Sequence, residues 1–210
     1  MTTIVDYGAG NLRSVQNTLD EIGVGYVVTS NWREVKSAER IILPGVGHFG
    51  HMMASIDRLQ LRTPLLDRLH EGIPFLGICV GLQCLFERSE EAPGVSGLGF
   101  FPGVVKRFSG EARIPHMGWN SLARLKEARL LDGLDHEPFV YFAHTYYAPL
   151  FDATVAACTY LQPYTALLEQ ENVCAVQFHP EKSGSVGLRV IRNFLEIPKC
   201  SLSELSRVLT

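Results

Sequence analysis

Cys79 lies in Pro74-Phe75-Leu76-Gly77-Ile78-Cys79-Val80-Gly81-Leu82-Gln83, an apolar run that enters Gly-x-Cys-x-Gly and leaves with helical spacing. That order is the pattern of a nucleophile elbow, in which a tight strand-to-helix turn lifts one side chain out of the sheet. The flanking glycines matter because neighbouring Cβ atoms would collide in such a turn. A cysteine at the start of a helix also sits near the positive end of the dipole, which favours thiolate over thiol. Without the glycines, a cysteine ending a buried strand reads as a small apolar filler. With them it reads as a nucleophile.

A thiolate nucleophile needs a proton carrier, and Val173-Cys174-Ala175-Val176-Gln177-Phe178-His179-Pro180-Glu181-Lys182 offers one in an apolar strand ending in His-Pro-Glu. Residues two apart in extended backbone face the same way, and Pro180 keeps its neighbour out of the helical region. His179 and Glu181 are therefore expected on one side of a strand end. A carboxylate there would fix the imidazole tautomer and stabilise the imidazolium. Alone, His-x-Glu is equally the pattern of a surface ion pair; its weight comes from following a strand in a chain that also carries the elbow.

A third segment, Ile41-Ile42-Leu43-Pro44-Gly45-Val46-Gly47, is a strand feeding a glycine-containing loop whose N–H groups could serve an oxyanion, or simply an ordinary tight turn. No Gly-Lys-Ser/Thr follows, which argues against phosphate binding. His48 and His51 are three apart but have no third ligand nearby in sequence, so no metal is expected. His70, His116, His136 and His144 have no catalytic spacing. Trp119 reads as a core residue if buried and as an interface anchor if exposed.

These residues need elements to hold them. Thr3 to Asp6, Tyr26 to Thr29, Ile41 to Leu43, Pro74 to Cys79, Phe139 to Ala143, Val155 to Cys158 and Val173 to Phe178 are short, β-branched or aromatic, and bounded by Gly, Pro or polar clusters, as strands are. Helical spacing appears at Leu12, Val15, Leu19 and Ile22; at Met52, Ile56 and Leu59; at Leu82, Leu85 and Phe86; and at Leu188, Ile191 and Leu195. Strands alternating with helices over the first ninety residues imply βαβ units and a parallel sheet covered on both faces. The 97–108 segment looks like a hairpin or two short strands, giving an antiparallel extension of the sheet. The tail after Pro198 reads as a short helix or a frayed end.

Composition narrows the functions. The 210 residues suit one domain, 1–210, with room for an elaborated edge. A hydrophobic share of 46% and a charged share of 20% leave no reason for disorder. A net charge of -3 without a Lys/Arg run disfavours nucleic acid. With no signal peptide and no run of about 18 apolar residues, the chain reads as cytosolic and off the membrane. Its five cysteines are scattered, without zinc or disulfide spacing, and most read as buried thiols.

Taken together, the elbow and the Gln177 to Lys182 run resemble the class I glutamine amidotransferase family. Asp6-Tyr7-Gly8-Ala9-Gly10-Asn11-Leu12, Leu43 to Gly47, Pro115-His116-Met117-Gly118-Trp119-Asn120 and His144-Thr145-Tyr146 narrow the resemblance to glutaminase subunits of that family. It implies a three-layer, flavodoxin-like, mostly parallel sheet. It also implies that Cys79 attacks the glutamine carboxamide, His179 protonates the departing ammonia and Glu181 orients His179. Gly47 and Gln83 would hold the substrate, with Thr145 and Tyr146 near its α-amino and α-carboxylate groups. Backbone at Val46 and Val80 would form the oxyanion hole, after a rearrangement of the Pro-Gly-Val-Gly strand. No cofactor is implied.

The glutaminase motifs take up the length of the chain, so a separate ammonia user is expected. The resemblance implies a (β/α)8-barrel partner, the imidazole glycerol phosphate synthase cyclase subunit, with Asn11, Trp119, Tyr141 and Lys182 at or near the interface. Two departures stand out: Val80 where the family usually has Leu, and Cys158 to Tyr164 in place of a Thr-Asp-Tyr-Gly-like turn. Neither touches the triad. A paralogue serving a sugar amidotransferase, a stand-alone γ-glutamyl hydrolase and a catalytically dead binding subunit are the rival readings.

Overall fold

The structure is a computed structural model that describes residues 1–8 and 11–200. Ala9 and Gly10 of the Asp6 to Leu12 motif, and residues 201–210 of the expected tail, lie outside the described residues.

The first part of the chain runs β1 (Thr2–Val5), α1 (Leu12–Ile22), β2 (Tyr26–Thr29), α2 (Trp32–Lys36), β3 (Ile41–Gly45), α3 (Phe49–Arg58), α4 (Arg62–His70), β4 (Phe75–Cys79) and α5 (Val80–Gln83). It continues through β5 (Phe86–Ser89), β6 (Phe101–Arg107), β7 (His116–Ser121), β8 (Ala123–Arg124), β9 (Phe139–His144) and β10 (Tyr146–Tyr147). The last part is β11 (Thr154–Thr159), β12 (Pro163–Gln170), β13 (Val173–Val176) and α6 (Gly184–Glu196).

The main sheet has the order β2-β1-β3-β4-β13-β12-β11-β8. The first five strands are parallel and the last three antiparallel. Right-handed crossovers explain the helix layers. Stepping from β1 outward to β2 puts α1 on one face, whereas stepping back to β3 and on to β4 puts α2, α3 and α4 on the other. In agreement, α1 packs on α6 and α2 on α4. The central strands are buried end to end, as a sheet covered on both faces requires. Buried apolar residues from Ile4 to Ile197 form one contiguous core. No helix among the described residues is long and apolar enough to cross a membrane.

Several expectations are corrected. The helical spacing at Leu82, Leu85 and Phe86 yields only one turn, α5, followed by strand β5. Leu82, Cys84, Leu85 and Phe86 are all buried, and an apolar run buried on every side does not distinguish helix from strand. The 97–108 segment is a single strand, β6, pairing parallel with β5 and antiparallel with β10 in a separate three-stranded sheet. The antiparallel extension is instead built by β12, β11 and β8. Strand β12 carries a weak strand signal because its polar ends, Pro163 and Glu169-Gln170, blur the apolar core between them. Helices α2 and α4 are short and weakly patterned.

Candidate active site

Strands β3, β4 and β13 are neighbours whose carboxyl ends leave the sheet together, with Gly45 beside Cys79 and Val176 beside Ile78. A crevice beyond the carboxyl ends of parallel strands is where open α/β sheets hold ligands. All three chemical segments from the sequence emerge there.

Cys79 ends β4 at φ 54° and ψ -107°, a conformation that costs a non-glycine residue about 1–3 kcal/mol and persists only when its surroundings enforce it. Those surroundings are backbone. A Cβ on Gly81 would stand 2.0 Å from the Leu43 carbonyl oxygen, and one on Gly77 would stand 2.6 Å from the Gly81 oxygen. The elbow is thus wedged against β3, and Cys79 is held where β4 meets α5. Because α5 is a single turn, support for a thiolate comes from its first-turn amides rather than from a long dipole.

His179 and Glu181 meet differently from the sequence expectation. Strand β13 stops at Val176, and Pro180–Lys182 form a 3-10 turn, so the pair is closed by a turn and not by extended backbone. His179 Nδ1 lies 2.9 Å from Glu181 Oε1. The turn is anchored on three sides. The His179 N–H donates to the Tyr141 carbonyl at 2.9 Å. Ser183 Oγ donates to the His179 carbonyl at 2.7 Å and accepts the Tyr141 N–H at 3.0 Å. Gly187 of α6 is so close that a Cβ there would lie 1.8 Å from the Pro180 oxygen.

Burial alone would push His179 toward the neutral form. Hydrogen bonding and charge from Cys79, and then from Glu181, overcome it and raise the imidazole to about 10. With Nδ1 given to Glu181, Nε2 is the nitrogen left for Cys79. Gln177 Nε2 also donates to Cys79 Sγ, at 3.5 Å.

Cys79 and His179 open onto a cleft of about 340 Å³, lined also by Val46, Gly47, Val80, Gln83, Glu91, Pro115, Met117, Ala143, His144, Thr145, Tyr146 and Lys182. Every expected substrate and oxyanion residue is therefore at the cleft. Glu181 stands behind His179. Two placements carry detail that the sequence did not. Gln83 is buried, and its Nε2 donates to the Tyr146 carbonyl at 2.8 Å and to Gln177 Oε1 at 3.1 Å, so the amide ties elbow to wall. The Val46 N–H donates to the Tyr7 hydroxyl at 3.1 Å.

Sequence reasoning overlooked several groups. Glu91 lines the cleft and caps α3, its Oε2 accepting the Phe49 N–H at 2.7 Å. It sits in no motif, and nothing local marks it. His144 has no catalytic spacing and enters the sequence reading only through the His144-Thr145-Tyr146 motif, yet it lines the cleft. Its Nδ1 lies 2.8 Å from the Tyr146 carbonyl and its Nε2 lies 3.3 Å from the Tyr164 hydroxyl, which His116 Nδ1 also approaches at 3.1 Å. Burial pushes both imidazoles down, His116 to about 4 and His144 to about 3. Gln177 precedes His179 by two residues, and that spacing was a usable signal.

Of the residues expected at an interface, Lys182 lines the cleft, and Tyr141 and Trp119 lie on the strand pair beside it. Trp119 of β7 pairs with Tyr141 of β9, with ring centroids 6.1 Å apart, and Lys182 Nζ lies 5.9 Å from the Tyr141 centroid. Met117, Trp119 and Phe139 alternate outward on this two-stranded sheet and are 64%, 56% and 58% exposed. Asn11 holds the N-cap position of α1 without bonding the helix backbone through its side chain, whose Oδ1 instead accepts from Ser14 Oγ at 2.8 Å. His48 is an N-cap for α3, its Nδ1 accepting the Gly50 N–H at 3.0 Å. Among the described residues, no group of three His, Cys, Asp or Glu is placed to hold a metal. Cys84, Cys158 and Cys174 are buried thiols that burial pushes up, Cys84 to about 12 and Cys158 to about 11.

Comparison with known proteins agrees with this geometry. Residues 3–197 match the family model described as glutamine amidotransferase class-I. The chain is 48% identical over 198 residues to the imidazole glycerol phosphate synthase subunit HisH of Methanothermobacter thermautotrophicus, covering 94% of this chain and 98% of the relative. It is 41% identical to the HisH subunit of Methanocaldococcus jannaschii, with 94% and 100% covered, and 44% identical to that of Bacillus cereus, with 92% and 93% covered. A solved glutamine amidotransferase superposes with a TM-score of 0.73 at 21% identity, covering 93% of this chain and 97% of the other; it speaks to the fold alone. With a strained cysteine elbow at the sheet's carboxyl edge and a family match over nearly its whole length, the chain belongs to the class I glutamine amidotransferases, enzymes that hydrolyse glutamine.

Proposed function

We propose that this chain, acting as one glutaminase domain, is the glutaminase subunit of an imidazole glycerol phosphate synthase and delivers ammonia to a cyclase subunit. The observation that carries the chemistry is that His179, bonded to Glu181 at 2.9 Å, lines the same cleft as Cys79.

In this reading Cys79 Sγ attacks the carboxamide carbon of glutamine, and the carbonyl oxygen takes up the negative charge. The Val80 N–H, in the first helical turn, would meet that charge. His179, held as imidazolium, gives its Nε2 proton to the nitrogen as the C–N bond breaks. Ammonia leaves and a glutamyl thioester remains. The now neutral His179 takes a proton from water, whose oxygen attacks the thioester, and glutamate departs with regeneration of the thiolate–imidazolium pair. Glu181 holds the ring and stays ionised. The Glu91 carboxylate in the cleft lining suits the α-ammonium of the substrate. Gly47, Gln83, Thr145 and Tyr146 shape the rest.

An exposed apolar face built from Met117, Trp119 and Phe139 supports a protein partner, since large aromatic and Met side chains are what interfaces bury. Met117 lines both that face and the cleft, so a partner seated there stands where ammonia emerges. The relatives named as synthase subunits point to a cyclase as that partner.

The test is glutamate release from glutamine by the purified chain, alone and with an imidazole glycerol phosphate synthase cyclase, with and without imidazole glycerol phosphate. Strong stimulation by the liganded cyclase is the expected result. High turnover without the cyclase would instead mark a stand-alone hydrolase. Silence throughout would mean a different acceptor enzyme or a binding subunit.

A further inference from the structure

We propose that Tyr7 is a positioning residue that restrains the reaction: its hydroxyl holds the Val46 peptide with the N–H turned away from the carbonyl position above Cys79. The inference deepens the glutaminase reading and rests on it.

The hydroxyl engages both ends of one residue. It accepts the Val46 N–H at 3.1 Å and stands 3.4 Å from the Val46 carbonyl oxygen, to which it donates. Tyr7 leaves β1 beside β3 and is 1% exposed. It does not line the cleft, whereas Val46, Gly47, Cys79 and Val80 do. An N–H spent on a buried hydroxyl outside the cleft is not aimed at an oxyanion inside it, because hydrogen-bond strength falls steeply away from linear geometry.

The flanking backbone makes Val46 the movable unit. Upstream, Gly45 is pinned against the elbow, where an added Cβ would meet the Gly81 nitrogen at 2.3 Å. Downstream, Gly47 has φ 85° with open space around it, a joint that admits rotation. The Val46 N–H is thus held by a single side-chain oxygen. Burial pushes the Tyr7 phenol up to about 12, so it stays protonated and able to play both hydrogen-bond roles at neutral pH.

Missing one oxyanion donor typically costs about a hundredfold or more in kcat. A restraint of one neutral hydrogen bond shifts the balance between the two peptide orientations by about three- to tenfold. Tyr7→Phe removes the oxygen and keeps the ring packing. The experiment compares wild type and Tyr7→Phe, each complexed with the cyclase, by glutamate release with and without imidazole glycerol phosphate, and by hydrogen exchange of the Val46 amide. Expected are an unliganded rate raised about three- to tenfold, a liganded rate within about twofold of wild type, and Val46 exchange accelerated about tenfold. Unchanged Val46 exchange overturns the proposal, as does an unliganded rate that stays level or falls in step with the liganded one. A wild-type complex that releases no glutamate in either state defeats the glutaminase reading itself, and the Val46 exchange still decides whether Tyr7 holds the peptide.

Discussion

His179 Nδ1 and Glu181 Oε1 lie 2.9 Å apart across a single 3-10 turn, with their side chains only 4% and 2% exposed. A surface pair of this kind would contribute little, whereas a buried one sets the tautomer of the ring. Replacing Glu181 with Gln keeps the shape and removes the charge. Glutamine-dependent turnover of the complex is expected to fall by about 10²–10⁴-fold, while synthesis from added ammonia is preserved. Equal loss of both activities would show that the substitution disturbs the assembly and not the proton transfer.

The alkaline side of the pH profile belongs to His179. Its raised value, about 10, keeps the imidazolium available as the acid for departing ammonia across neutral pH. Above that value the acid form is lost. Glutaminase kcat is expected to be level from about pH 7 to 9 and to decline near 10, provided stability is monitored in parallel. A decline centred near 6.5, the ordinary value, would mean that Cys79 and Glu181 do not hold the proton on the ring.

The acid side concerns stability. His116 and His144 are driven down to about 4 and about 3 by burial, so between pH 6.5 and about 4 the unfolded chain binds more protons than the folded one. Their contribution to stability is therefore full above 6.5 and drops as pH falls through that window, by about 3 kcal/mol for His116 alone. Urea titrations at successive pH values should show this slope, and His116→Asn should flatten it. An unaltered slope in the variant would place the acid sensitivity elsewhere.

Gly81→Ala should be among the most damaging small substitutions, since its methyl group meets the Leu43 carbonyl at 2.0 Å. We expect a loss of about 2–3 kcal/mol in urea denaturation, and loss of turnover even where the chain remains folded, because the elbow must shift away from β3. A stable and active variant would show that the wedge is not what strains Cys79.

Trp119→Ala separates stability from association. The side chain is half exposed on the outer face of β7, so folding should change by less than about 0.5 kcal/mol. Affinity for the cyclase, measured by calorimetry, should weaken by about 2 kcal/mol or more, as for a central aromatic anchor. Unchanged affinity would remove this face from the interface.

What the sequence by itself determined was local. Gly77 and Gly81 around Cys79 announced a tight turn, because no other residue fits that approach, and alternation of β-branched runs with helical spacing announced the parallel half of the sheet. The pairing of His179 with Glu181 was legible from two-residue spacing, although the turn that closes it was not. Only the tertiary structure decided which distant pieces meet. Glu91 reaches the cleft, β12 and not the 97–108 segment extends the sheet, and Gln177 touches Cys79 across 98 residues of chain. Spacing along a chain reports neighbours within one element, whereas contacts between elements depend on crossover hand, register and packing, which no single segment encodes. The Tyr7 hydroxyl on the Val46 peptide is the clearest case: 39 residues separate them, and β1 lying beside β3 in the sheet brings them together.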